Sequence, residues 1–242
     1  MSWENLCREP DAVTTTHTLK SFDRELAELA ALVREIGQMV VRQYQSAVTA
    51  LLQSDRDAAR QAIDADADID DLEMRVHDEV LAIVVRYQPM AIDLRQVLAA
   101  ERIASNLERI GDHAKNIAKR SLCTDSRMGA ELDQMTKRMT DRVHVLLTDV
   151  LQAYEAADVD RARAVWTADA QLDELHDDLF HHILSEMQDG KGSIAIGTQL
   201  LFVAKSLERI GDHCTNIAEE VRFIVTGLSA KPRATDKAVS GD

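Results

Sequence analysis

Apolar residues recur at intervals of three and four along almost the whole chain. From Thr18 to about Ser54 the positions Phe22, Leu26, Leu29, Val33, Ile36, Val40, Tyr44, Val48 and Leu51 follow this rule and mark the stripe of one long helix. A second helix is predicted from about Asp57 to Tyr87, with Ala65, Ile69, Leu72, Val76 and Ile83 on its apolar side and Ser54-Asp55 as break and N-cap. Gln88-Pro89 ends it, because the residue before a proline is pushed out of the α region. A third helix, about Ile92 to Arg120, carries Ile103, Leu107, Ile110, Ala114 and Ile117. The polar joint Cys123-Thr124-Asp125-Ser126 follows, and then the pattern starts again. Leu132, Met135, Met139, Val143, Leu146, Val150 and Tyr154 stripe a fourth helix to about Ala157, where both methionines read as core. Asp158 starts a fifth, and Gly190-Lys191-Gly192 turns the chain into a sixth that runs to about Thr226. The fold class is all-α, with six long helices.

The restart is a repeat. LERIGDH stands at 107–113 and again at 207–213, and the agreement extends from Ala104 to Ala118 against Ala204 to Ala218, a period of 100 residues. The expected organisation is a loose arm over 1–16, a three-helix bundle over 17–122, a second over 125–227 and a disordered tail over 228–242. These are two tandem, internally repeated three-helix bundles.

The polar positions carry the chemistry. Glu108 and Asp112 fall one turn apart on the face opposite the apolar stripe, as do Glu208 and Asp212. Like charges at that spacing cost a helix roughly 0.2–0.5 kcal/mol per pair, and Gly111 and Gly211 about 1 kcal/mol each relative to alanine. Something must offset both in both copies. One reading is a solvated face neutralised by Arg109 and Arg209, with glycine permitting close helix contact; the other is a cation on the carboxylates. The second helix adds a strip of Asp66, Asp70, Glu73 and His77, and the fifth repeats it as Asp169, Asp173 and His176. The alternating aspartates are not an EF-hand loop, since Ile69 and Arg75 stand where glycine and glutamate are needed. If strip and E-x-x-x-D face each other across a groove, each half offers an oxygen-rich set suited to magnesium, manganese or iron, and His176 adds tolerance for zinc. His113 and His213 read as caps on surface charge, His181-His182 as a solvated pair, and Glu101 as a solvent residue.

Charge and cysteine usage narrow the partners. A formal net charge of −14 argues against nucleic acid, whose phosphates demand a basic surface. Cys7, Cys123 and Cys214 form no CxxC, which points to a reducing compartment. Neither a signal peptide nor a membrane span is visible, so a cytoplasmic protein is expected.

The doubled ERIGD-x-x-x-x-I, Arg86-Tyr87-Gln88-Pro89 with Asp93-Leu94-Arg95, and Phe22, Glu25-Leu26 and Ile36-Gly37 together resemble the PhoU family over residues 18 to 226. The resemblance implies two similar three-helix bundles that bind metal ions through their ExxxD motifs, sometimes as multinuclear clusters. Glu108 with Asp112 and Glu208 with Asp212 are then the matching ligands, completed by the middle-helix acids. It implies a signalling protein and not an enzyme. Such a protein dampens phosphate uptake and the phosphate-starvation two-component response. Its expected partners are the ATPase of the phosphate ABC transporter, the sensor histidine kinase and a second copy in a homodimer, with membrane contact only through them. Two departures stand out: Gly190-Lys191-Gly192 replaces the Gln-Pro segment in the second half, and His176 replaces Glu73. The alternatives are a ferritin-like di-iron oxidase, which needs Glu-x-x-His pairs inside a four-helix core, and a metal-independent helical scaffold.

Overall fold

The computed structural model describes residues 12–123, 129–190 and 193–228. Among these residues it is entirely helical: α1 (Ala12–Gln53), α2 (Arg56–Asp64), α3 (Asp66–Tyr87), α4 (Ala91–Ser121), α5 (Ala130–Ala156), α6 (Val159–Gln188) and α7 (Ile194–Thr226). α1, α2–α3 and α4 form one bundle, and α5, α6 and α7 the other.

The predicted second helix is divided. Ala65 keeps helical angles (φ −65°, ψ −16°), and its N–H donates to the Gln61 carbonyl at 3.1 Å, but the next bond, Ile69 N–H to the Ala65 carbonyl, stretches to 3.4 Å. Asp64, Asp66 and Asp68 crowd this turn, and aspartate is a poor interior helix former whose side chain competes for backbone groups. The predicted loose arm is also too long. α1 begins at Ala12, so residues 12–16 are helical; extending an existing helix carries no nucleation cost, and no apolar stripe is needed to announce it. Residues 1–11 of that arm, most of the joint (124–128), Lys191-Gly192 and the tail from 229 lie outside the described residues.

The predicted punctuation has identifiable physics. The Asp55 carboxylate accepts from the Asp57 and Ala58 N–H groups at 2.9 and 3.0 Å, and Asp158 accepts from Arg161 N–H at 3.0 Å, each satisfying orphan donors at a helix start. Gln88 closes α3 in the left-handed region (φ 47°), as its proline neighbour disfavours another α residue. Arg86 and Tyr87 then clamp the end of α3 to α1. Arg86 pairs with Glu25, the Tyr87 hydroxyl donates to Glu25 Oε1 at 3.0 Å and lies 3.1 Å from Ser21 Oγ, and its ring meets Phe22 edge-on at 5.2 Å.

One core runs through both bundles, from Val33, Ile36, Val40 and Tyr44 on α1 to Val143, Leu146, Leu172, Leu207 and Ile217 in the second half. α4 and α7 lie antiparallel at the centre. Arg102 reaches Glu220 at 3.3 Å, Asn106 accepts from Asn216 at 3.2 Å, and Arg120 donates to Gln199 at 2.9 Å while its guanidinium lies 4.1 Å above the Phe202 ring. The two repeats are therefore joined along the helices that carry the E-x-x-x-D motifs.

Candidate metal centres

Glycine permits close packing against both helices that carry the E-x-x-x-D motifs. A Cβ at Gly111 would stand 2.9 Å from Gln43 Oε1 and 3.4 Å from Ile69 Cδ1, and one at Gly211 would overlap the buried Leu172 side chain and lie 3.5 Å from Asp169 Oδ1. Gly211 thus lets α6 approach α7 where the carboxylates are, while Gly111 makes room chiefly for Gln43 of α1, with Ile69 of α3 at ordinary contact distance.

In the first half Asp66, Asp70 and Glu73 flank the apolar stripe of α3 and face Glu108 and Asp112 of α4. The side chains feel one another. Partial burial, then Asp66, Asp112 and Asp71, push the Asp70 carboxyl upward, while Lys115 opposes them. Glu108 is raised by burial; Arg109 opposes, and Asp112, Asp70 and Glu73 add to the rise. In the second half Asp173 is raised by burial, then by Glu208, Asp212 and Asp177, against His176. Asp169 lies beside Gly211 on the same seam. His176 is turned aside, with Nδ1 3.2 Å from Asp177 and its ring against Phe180.

Both acidic sets are therefore gathered, but into open clusters. Among the described residues no three His, Cys, Asp or Glu side chains already form a group that could hold a metal ion. Basic side chains take up part of the charge. Lys115 Nζ lies 2.5 Å from Asp66 and 2.7 Å from Asp112, Lys205 Nζ lies 2.6 Å from Glu208, and Arg109 and Arg209 lie along their own ladders. The ladders are also less exposed than a solvated face: Glu108 keeps 21% and Glu208 18% of side-chain exposure, because α4 and α7 are covered from several sides. Lys115 is invisible to a pattern of acids and apolar positions alone, and Asp71 and Asp177 stand one residue off the i, i+4, i+7 phase of the strips. Lys115 stands three residues after Asp112 and seven after Glu108, a spacing that marks the same face.

Glu101 keeps 37% of its side-chain exposure, in keeping with a solvent residue, and in addition joins α4 to α3 through His77 Nδ1 at 2.8 Å. Other secondary expectations need correction. His182 is half-buried, 3.7 Å from Glu186, although its neighbour His181 is exposed as expected. His113 and His213 do not cap surface charge: they meet across the α4–α7 seam with ring centroids 5.8 Å apart. His213 Nδ1 lies 2.9 Å from Asn106 Oδ1, which serves as acceptor when Nδ1 carries the proton.

Burial first, then His113, Arg109 and Arg209, push His213 down to about 4 against the pull of Asp212, and burial lowers His113 as well. An unfolded histidine titrates near about 6.5, so between about 6.5 and about 4 the unfolded chain binds a proton that the folded chain refuses. Stability from this residue is complete above that window and is lost as pH falls through it. His213→Gln is expected to flatten the acid limb of melting temperature against pH, and an unchanged slope from pH 7 to 4.5 would refute the assignment.

The candidate ligands lie outside the buried core. Among the described residues the one carboxylate in the fully buried set is Glu25, already paired with Arg86 and Tyr87. Among the described residues, the buried set therefore lacks the Glu-x-x-His pairs that a di-iron core needs.

Known proteins place this arrangement. The PhoU domain model matches twice, over residues 33–121 and 136–221. The chain is 40% identical over 214 residues to the phosphate-specific transport system accessory protein PhoU homolog of Caulobacter vibrioides, covering 88% of this chain and 93% of the relative. It is 38% identical over 221 residues to the homolog of the same description in Zymomonas mobilis, covering 91% and 93%. The fold superimposes on the crystal structure of PhoU from Pseudomonas aeruginosa with a TM-score of 0.81 at 29% identity, covering 86% of this chain and 100% of that one. The phosphate transport system regulatory protein PhoU from Streptococcus pneumoniae gives 0.80 at 29% identity, covering 87% and 99%. With both repeats matched and near-complete coverage of relatives above 30% identity, the chain belongs to the PhoU family.

Proposed function

We propose that this protein is a negative regulator of phosphate uptake and of the phosphate-starvation two-component response. It works by protein contacts, with the ATPase of the phosphate ABC transporter and the sensor histidine kinase as partners and a homodimer as its working form. The observation that carries this reading is the match of both repeats to relatives described as accessory proteins of phosphate-specific transport. No described helix is long and apolar enough to cross a membrane, which is compatible with a cytoplasmic regulator that reaches the membrane through its partners.

The carboxylate clusters are read as cation sites. Asp66, Asp70, Glu73, Glu108 and Asp112 would hold ions in the first half, and Asp169, Asp173, Glu208 and Asp212, with His176 at the margin, in the second. The donors are hard oxygens from two facing helices, which fits iron, manganese or magnesium, with zinc favoured only where His176 swings in. The Lys115 ammonium, held by carboxylates from both helices, supports the fit, because it is a cation in the position a metal would take. A bound divalent ion would supply the positive charge these acids lack and tie the middle helix to the last.

Deleting the gene is expected to switch on phosphate-starvation genes in cells grown with ample phosphate, measured as transcript levels. A pull-down from such cells should recover the transporter ATPase and the kinase. Starvation genes that stay repressed in the deletion strain would remove the regulatory reading.

A further inference from the structure

The two acidic clusters are near copies, yet their lysines stand in different places. In the first, Lys115 Nζ lies 2.5 Å from Asp66 Oδ2 on α3 and 2.7 Å from Asp112 Oδ1 on α4, and its side chain is 20% exposed. It is an ammonium wedged between the helices. Burial alone would favour its discharge, but the hydrogen bonds to Asp112 and Asp66 outweigh burial and raise its pKa.

The second repeat has Thr215 at the matching position, fully buried, with its hydroxyl donating to the Asp212 carbonyl at 2.7 Å. Its lysine is Lys205, where the first repeat has Ser105. Lys205 pairs with Glu208 at 2.6 Å along α7 itself, and its side chain is 49% exposed. Each cluster has one lysine and one arginine beside its acids, and the first has one carboxylate more, Glu73 where the second has His176, so charge alone would favour the first. Placement opposes it. An incoming ion can let Lys205 swing into solvent, whereas it must expel Lys115 from between the very carboxylates it would use. The displaced ammonium would also remain tethered beside the new positive charge.

We infer that Lys115 is a built-in counter-ion that competes with divalent cations for the first cluster, so that the second half of this chain loads before the first. The inference rests on the reading of both clusters as cation sites. It makes Lys115 the residue that sets how much free metal is needed to fill the first half.

The test is manganese(II) titration of the full chain by calorimetry, with melting temperature as a second readout. Glu108→Gln/Asp112→Asn isolates the second cluster, and Glu208→Gln/Asp212→Asn isolates the first. The first cluster alone is expected to bind more weakly than the second alone. Adding Lys115→Thr should tighten the first cluster by about tenfold or more, since a charge-assisted pair no longer has to be broken. The same change should leave the isolated second cluster as it was. Lys115→Met, which keeps the length without the charge, is the second variant should threonine disturb folding, and Lys115→Arg should keep the weak binding. Equal affinities of the two isolated clusters, or no tightening with either neutral variant, would overturn the inference while leaving the cation reading intact. No binding by any variant would overturn the cation reading and this inference with it.

Discussion

Tyr44→Ala is expected to destabilise the whole chain by about 3–5 kcal/mol, the range for emptying a buried aromatic site. Tyr44 is 1% exposed on α1; its hydroxyl donates to the Thr140 carbonyl of α5 at 2.8 Å, and its ring lies parallel to His144 with centroids 6.4 Å apart. The residue belongs to the first repeat and its partners to the second. The variant removes packing from the core that the repeats share and takes away the donor that ties a helical carbonyl of α5 to α1. Tyr44→Phe keeps the packing and should cost only about 1 kcal/mol, the net value of an ordinary hydrogen bond. Urea denaturation followed by circular dichroism separates the two. Both variants should still unfold in a single transition, because α4, α7 and the α1–α5 contact make one cooperative unit. Two resolved transitions in Tyr44→Ala, with the second half unfolding at the wild-type midpoint, would mean that the bundles are independently stable.

That shared core is the part of the architecture least visible in the amino-acid pattern. The individual helices were legible because Val33, Ile36, Val40 and their equivalents are large, apolar and periodic, and all are buried. The α4–α7 seam is different. Arg102, Asn106, His113 and Arg120 look like a polar stripe bound for water, yet they meet Glu220, Asn216, His213 and Gln199 across the seam. Hydropathy records that these residues are polar and not that their partners lie a hundred positions away. The divided second helix was hidden for a related reason, since the stripe through Ala65 and Ile69 continues unbroken while the aspartates around it loosen one turn.

At the clusters, the repeat marked Glu108, Asp112, Glu208 and Asp212, because two copies of one string point to one task. Phase along the helix then brought in the middle-helix acids, and the structure gathers them with the ladders. The departures from the repeat, Lys115 against Thr215 and Ser105 against Lys205, were equally present in the sequence. Their meaning depends on which carboxylate each lysine reaches, and spacing along one helix cannot supply that for Asp66 on another.

Manganese(II), iron(II), zinc or magnesium is expected to raise the melting temperature of the wild-type chain, and replacing Glu108, Asp112, Glu208 and Asp212 together by alanine should abolish the gain. A ligand that binds only the folded state stabilises it by about 2.7 kcal/mol at a hundredfold excess over its dissociation constant, and one kcal/mol moves the midpoint of a chain of this size by about 2–4 °C. Each filled cluster is therefore expected to contribute roughly 5–10 °C. The metal-free quadruple variant should melt close to wild type, because two opposed effects are removed together. Burial and neighbouring acids raise Glu108, so its loss relieves repulsion, while the Lys115–Asp112 and Lys205–Glu208 pairs are lost with their acids. Glu108→Ala/Asp112→Ala should keep most of the gain at limiting metal, since Lys115 already makes the first cluster the weaker site, and Glu208→Ala/Asp212→Ala should keep little until metal is abundant. Differential scanning fluorimetry over a metal series reads all four proteins. If the quadruple variant gains as much as wild type, the ladders are solvated charge steadied by Arg109, Arg209 and the two lysines, and the glycines at 111 and 211 serve helix packing alone.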